Sequence, residues 1–356
     1  MPRSMRRLAP LALVLAVLTG ATLPAAPAPA GRSLLRAPLE VSARGPVGRW
    51  VIAAAGDIAC ESPPNGRREP GSCQYDDTAD LVADPRVDAV LVLGDLQYET
   101  GAYGAFRRYF DPTWGRSFGR LRPVPGNHEY ADGGPNSRPR GYFRYFGDGA
   151  KGPHRLGYYS FDLGACPDDP CWHVIALNSE LCFATGGCGP TADPDSRGPG
   201  NRMFRWLRAD LAAHPDAAYP CTLAYWHHPR FSFSNGSGAT TAVAPMWDLL
   251  YEAGADVVLN GHSHNYQRWR PQDPSGAADP DRGIREFVVG TGGRLLYSIP
   301  DGRAPDNLEA AQDGSFGVLR LTLRPEGYRW AWATAAAQPG FTDASDAPVP
   351  CVRASA

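Results

Sequence analysis

Short apolar runs that end in small and polar residues recur along the first three quarters of the chain. Residues 50–55 run into Gly56-Asp57, residues 87–93 into Gly94-Asp95, and residues 121–124 lead to Gly126-Asn127-His128. Residues 222–225 lead into Trp226-His227-His228, and residues 255–259 into Asn260-Gly261-His262. Runs of this length, bounded by turn residues, predict buried strands. Between them, residues 201–214 and 244–253 carry apolar positions at helical spacing. Strands that alternate with helices predict an α/β layered domain. Later, residues 316–323, a Pro325-Glu326-Gly327 turn and residues 328–334 predict a hairpin at a sheet edge. The chain has no internal repeat and no second composition regime, so a single catalytic domain is expected over 47–351.

Composition narrows the class. Of 356 residues 43% are hydrophobic, enough for a sizeable core and against global disorder. A net charge of -2 excludes a broad nucleic-acid-binding surface, which needs a strongly basic face. Lys151 is the sole lysine among 35 basic residues, a coding bias rather than a binding signal.

Residues 1–30 read as a signal peptide. Arg3, Arg6 and Arg7 precede an apolar stretch over 8–18, and Ala28-Pro29-Ala30 offers a cleavage site. The apolar stretch is too short for a stable span, so the mature form is expected to have no stable membrane span. Residues 31–46 read as an extended leader. An exported protein (secreted, periplasmic or cell-surface), cleaved near Ala30, is expected.

The cysteines agree, because an even set of eight pairs readily in an oxidising compartment. Spacing suggests Cys60 with Cys73, Cys166 with Cys171 and Cys182 with Cys188, which leaves Cys221 with Cys351, among 105 possible connectivities. A cysteine zinc site is the rival, but it lacks CxxC spacing.

The polar clusters all lie past the C-terminal ends of predicted strands, where open α/β sheets bind ligands. They collect Asp57, Asp95, Tyr98, Asn127, His128, His227, His228, His262 and His264, including five of the eight histidines. Carboxylates, imidazoles and an amide converging from separate loops are metal ligands by type. A single Gly-Asp or His-x-His would mean little; five clusters in one register mean much more.

The series Gly56-Asp57, Gly94-Asp95-Leu96-Gln97-Tyr98, Gly126-Asn127-His128-Glu129, His227-His228-Pro229 and Gly261-His262-Ser263-His264 resembles the calcineurin-like metallophosphoesterases, and among them the purple acid phosphatases. It covers residues 56–264, with 288–293 similar to the family's closing strand and loop. The resemblance implies a calcineurin-like metallophosphoesterase β-sandwich of two mixed sheets flanked by helices, and two metal ions. Position by position, Asp57, Asp95, Tyr98 and His264 would hold the first metal. Asp95 would bridge to a second, held also by Asn127, His227 and His262. His227, two residues before the proline, takes the ligand's place, and His228 is expected to pack beside it. Ala59 stands where the wider family has a histidine, and Tyr98 supplies a replacement donor. A phenolate suits Fe(III), and the second ion is expected to be divalent Zn, Mn or Fe.

Two cations ~3.5–4 Å apart neutralise a phosphate ester and align in-line attack, and metal binding brings the pKa of water toward ~7. The expected reaction is hydrolysis of small phosphomonoesters by metal-activated hydroxide, with His128 assisting the leaving group. Asn127 and His128 would touch the substrate. Glu129 is a candidate to hold the His128 ring. Arg268 is assigned to substrate phosphate, against an ordinary salt-bridge role.

One departure stands out. Purple acid phosphatases commonly carry a further substrate-side histidine after the His227 motif, and the stretch 231–237 has none. Its Gly/Ser-rich composition suits a mobile loop at the substrate mouth. Rival readings are a phosphodiesterase or nucleotidase of the same fold, and a noncatalytic secreted binding module. Tyr142, Phe143, Tyr145 and Phe146 would serve such a module as an exposed aromatic row, or line the active-site rim. Oligomeric state is not legible.

Overall fold

The computed structural model describes residues 48–352 except 63–72, 132–137, 165, 167–170, 185–186, 191–196, 216–218, 337 and 339. The stretches read as signal peptide, 1–30, and leader, 31–46, lie outside the described residues.

In chain order the strands are β1 (Trp50–Ala55), β2 (Ala89–Leu93), β3 (Leu121–Val124), β4 (Tyr159–Leu163), β5 (Trp172–Ala176), β6 (Cys221–Tyr225) and β7 (Val257–Asn260). There follow β8 (Tyr266–Trp269), β9 (Arg285–Val289), β10 (Leu308–Gln312), β11 (Gly317–Arg324), β12 (Gly327–Thr334) and β13 (Val349–Pro350). One mixed sheet has the order β13-β12-β11-β1-β2-β3, the other β10-β8-β9-β7-β6-β5-β4. Within them β1-β2-β3 and β5-β6-β7-β9 run parallel. This is the two-sheet α/β sandwich expected.

The apolar runs are continuous rather than alternating because both faces of the second sheet are buried. Trp172, Val174, Leu223, Val257 and Leu259 share a core with Ile52, Leu91 and Leu321 of the first sheet. The intervening Ile175, Ala224 and Val258 pack instead with Met203, Leu207, Met246 and Leu250. Those four come from the helices Pro199–Ala213 and Ala244–Glu252, which match the two amphipathic stretches. Each strand thus uses its period of two to serve two cores.

The β11–β12 hairpin forms, but one strand in from the edge. The four disulfides pair as the spacing suggested. The Cys221–Cys351 bridge returns the tail to β6, and this places β13 on β12. The aromatic row is not exposed. Tyr142 and Tyr145 are buried, and Phe146 packs on Phe106, Phe110 and Phe118. Its i, i+3 spacing on the helix Arg140–Phe146 marks a core face.

At the strands' other ends, buried His173 of β5 lies between two carboxylates, Nδ1 at 2.8 Å from Asp162 and Nε2 at 2.8 Å from Asp210. His214 stacks on it at 3.8 Å. With its ring plane nearly parallel to that of His173, the two sets of in-plane lone pairs do not converge on one ion.

Candidate metal centre

Asp57, Asp95, Asn127 and His128 follow β1, β2 and β3 of the first sheet, whereas His227, His262 and His264 follow β6 and β7 of the second. The two layers therefore meet at this centre. Asp57, Asp95 and His262 all take positive φ, at 61°, 48° and 66°. Non-glycine residues adopt that region rarely, and Asp and His are among those that tolerate it. Hydrogen bonds between loops hold them there: His262 N donates to Asp57 Oδ2 (2.8 Å), His128 N to Asp95 Oδ1 (2.8 Å) and Asp57 N to the Gly94 carbonyl (3.1 Å). Gly126 lets the loops close this far, because a Cβ there would stand 2.3 Å from Asp95 Oδ1.

Backbone carbonyls set the imidazoles. His227 Nδ1 donates to the Leu93 carbonyl (2.8 Å) and His264 Nδ1 to that of Leu295 (2.6 Å), so each turns an Nε2 lone pair inward. The Tyr98 hydroxyl faces Asp57 Oδ1 (3.0 Å), Asp95 Oδ2 (3.1 Å) and His264 Nε2 (2.9 Å). One phenol proton serves three acceptors there. His227 Nε2 in turn faces Asp95 Oδ2 (3.2 Å), Asn127 Oδ1 (3.1 Å) and His262 Nδ1 (3.1 Å). Two donor sets thus share the Asp95 oxygen, and both hold more lone pairs than protons. Donor atoms of Asp57, Asp95 and His227 all lie within 4.8 Å of one another. The residues fit a pair of cations by atom type, tautomer and spacing.

The electrostatics express the same demand. Burial alone would lower His227, but Asp95 beside it raises it to about 10, so without a cation the centre recruits a proton. Burial, then Asp57 and Asp95, push the Tyr98 phenol well above its usual range. Burial and the His227 charge bring His262 down to about 4.

Every residue of the expected ligand set is in the cluster, and His128 borders it, its ring 4.2 Å from that of Tyr98 and its Nε2 3.9 Å from Asp95. His228 is near enough to group with His227 and His262, yet its Nδ1 meets Ser179 Oγ (2.9 Å) and its Nε2 lies 3.4 Å from Glu180 Oε1. Its Nδ1 thus already has a protein partner, and its Nε2 faces a carboxylate.

Two expectations are corrected. Arg268 lies on β8 away from the cluster, where Asp343 and Glu309 bind its guanidinium and the Trp330 ring packs 4.8 Å away. Its charge is neutralised inside the sheet. Glu129 does not hold the His128 ring. It is buried and accepts from Leu96 N (2.9 Å), Gln97 N (3.1 Å) and Gly126 N (2.8 Å), tying the β2 loop to the β3 loop. The partner of His128 Nδ1 is the Glu99 carbonyl, at 2.6 Å.

The Gly/Ser-rich loop borders the centre and is anchored. Asn235 N donates to the Ser298 carbonyl (3.0 Å), Ser263 donates to the Ser237 carbonyl, and a Cβ on Gly236 would run into the Tyr297 ring. Tyr297 stacks on His264 at 4.0 Å. Sequence reasoning passed over Glu99, Glu180, Arg294 and Tyr297, which carry no motif. Their one signal is position, one residue after Tyr98 for Glu99 and just past the Gly292-Gly293 pair for Arg294 and Tyr297.

Fold and centre together define a phosphoesterase scaffold, and the chain belongs to the calcineurin-like phosphoesterase family, whose profile matches residues 51–266. Within that family its similarities run to purple acid phosphatases. Purple acid phosphatase 22 of Arabidopsis thaliana is 29% identical over 180 residues, 49% of this chain and 36% of that protein. Acid phosphatase type 7 of Homo sapiens is 28% identical over 303 residues, 76% of this chain and 61% of that protein. The purple acid phosphatase PPD1 from yellow lupin (Lupinus luteus) shares the fold, with a TM-score of 0.58 at 17% identity over 83% of this chain and 53% of that one. The chain thus spans less than two thirds of the length of these relatives.

Proposed function

We propose that the protein is an exported phosphatase that hydrolyses small phosphomonoesters at a two-metal centre. The observation that carries this reading is the pair of donor sets sharing Asp95, with lone pairs turned inward by backbone carbonyls. Asp57, Asp95, Tyr98 and His264 would hold one cation, Asp95, Asn127, His227 and His262 the other. A phenol pinned against two carboxylates favours Fe(III) in the first set, and the softer, histidine-rich second set favours a divalent Zn, Mn or Fe. Bound there, the cations would offset the charge of the ester and bring water's deprotonation toward neutral pH.

The chain's own residues do the rest. Asn127 brings a neutral oxygen, so the centre keeps net positive charge for an anionic substrate. His128 donates through Nδ1 to the Glu99 carbonyl, so the doubly protonated ring presents its Nε2 proton to the departing alcohol oxygen and keeps the Nδ1 proton. The stretch 231–237 after the His227 motif holds no histidine, and His128 carries that step without one. Export rests on the N-terminal sequence pattern and on four disulfides, which persist in oxidising compartments. Among the described residues no helix is long and apolar enough to cross a membrane.

The test is metal analysis of purified protein beside hydrolysis of phenyl phosphate and of a diaryl phosphate diester. About two metals per chain, preferential monoester cleavage, and joint loss of metal and turnover in His262→Ala are expected. Tyr98→Phe should abolish the visible band of an iron-phenolate. Monoester cleavage that persists after exhaustive chelation refutes the reading.

A further inference from the structure

Arg294 stands at the mouth of the centre on a rigid base. Gly292 N donates to the Gly56 carbonyl (2.9 Å) and Arg294 N to the Asp57 carbonyl (2.9 Å), which moors this turn to the loop that presents Asp57. The approach is closed to a side chain, since a Cβ on Gly292 would stand 2.4 Å from Gly56 O. From that base the guanidinium reaches across the Tyr98 ring, its carbon 5.0 Å from the centroid, to the Glu99 carboxylate at 2.7 Å. The carbonyl of the same Glu99 accepts the His128 Nδ1 proton at 2.6 Å. His128 and Arg294 both pack on Tyr98, and Glu99 is tied to each of them.

We infer that Arg294 and Glu99 are positioning residues for His128. The argument rests on the phosphatase reading above, in which His128 assists the leaving group. The His128 ring, at the start of the short helix Asn127–Ala131, is otherwise steadied by its contact with Tyr98 and by one hydrogen bond to a loop carbonyl. The Glu99 side chain is half exposed, and left unpaired it would let that carbonyl drift. The ion pair fixes Glu99 from a third loop, the one after β9, so His128 Nε2 keeps its aim at the oxygen that must be protonated. Proton transfer needs the donor within hydrogen-bond reach of its target, and this is lost with small displacements. An exposed ion pair adds little to stability, so its contribution here is to orientation.

The experiment is a double-mutant cycle on the metal-loaded protein. Arg294→Ala and Glu99→Ala should each lower kcat about tenfold for an alkyl phosphate, whose alcohol needs a proton to leave. For p-nitrophenyl phosphate the loss should be small, with KM and metal content unchanged for both substrates. On a His128→Ala background neither substitution should cost anything further, and Arg294→Lys should restore most of the rate. An Arg294→Ala loss that multiplies with that of His128→Ala, or that appears as a raised KM for both esters, overturns the inference, because the arginine would then act on the phosphate itself. Unimpaired Arg294→Ala beside an impaired His128→Ala also overturns it and leaves the phosphatase reading standing. If His128→Ala loses nothing, the leaving-group role falls first and takes this inference with it. Any substituent keeps the main-chain bond from residue 294 to Asp57, so metal content and melting temperature separate a folding defect from a lost orientation.

Discussion

Gly126→Ala adds one methyl group at a crowded point of the centre. Its carbon would lie 2.3 Å from Asp95 Oδ1 and 2.5 Å from Asp95 N, where ordinary Cβ contacts do not fall below 3.0 Å. Asp95 cannot turn away cheaply: Oδ1 accepts from His128 N, and Oδ2 faces Tyr98 and His227. The loop cannot retreat freely either, since Gly126 N donates to buried Glu129. Relief therefore takes a shift of about 1 Å in Asp95 or in the Asn127-His128 turn, and a misplacement of that size costs on the order of 100-fold in rate. Overpacking adds a stability loss of about 1–3 kcal/mol. Phenyl phosphate turnover, metal stoichiometry and urea denaturation together read the effect. Gly119→Ala is the control, because its Cβ would meet nothing within 4 Å. Gly126→Ala with native turnover and full metal would refute the claim that this glycine sets the approach of the loops.

Other expectations follow from single features. Replacing Cys221 and Cys351 with serine opens a loop with a sequence separation of 130, which chain entropy values at about 5 kcal/mol. A loss under about 1 kcal/mol in denaturant titrations would show that β13 and the tail hold without the bridge. His173 is raised above its ordinary value: burial opposes this, but the hydrogen bonds its ring donates to Asp162 and Asp210 win. Its contribution should be full below about pH 6.5 and fade as pH rises through the folded-state value. The melting-temperature gap between wild type and His173→Gln should accordingly narrow with rising pH, and a widening gap contradicts the clamp. Glu129→Ala leaves three buried N–H groups without an acceptor, at about 1–3 kcal/mol each. Far-ultraviolet melting should show the loss even in metal-free protein.

Much of the site was legible because strand ends converge by rule. Once residues 50–55, 87–93, 121–124, 222–225 and 255–259 are strands of one layered domain, the polar groups past them must share an end. The ligand types came from the side chains themselves. The antiparallel edges were harder: β4, β8 and β10 are short and rich in polar residues, without the apolar run that marks β2 or β6. Arg294 was hidden by abundance, as one arginine among many in a chain with a single lysine. Only the fold brings its turn beside Asp57, and only the fold hands Arg268 to Asp343. Glu129 was misread because its neighbour in sequence drew attention, whereas a helical residue points away from the one before it. The aromatic row failed for a similar reason, since four aromatics in five residues look the same whether they face water or a core.

The candidate ligands hang from opposite layers, three strands on one side and two on the other. A cation pair seated among them would act as a rivet through the laminate, and occupancy would then govern how easily the sheets slide or peel apart. Loading should raise the unfolding midpoint with free ion concentration, by the logarithm that mass action prescribes. Stripped protein should be cut by proteases first where the layers part, at the rim loops, well before either β-layer unravels.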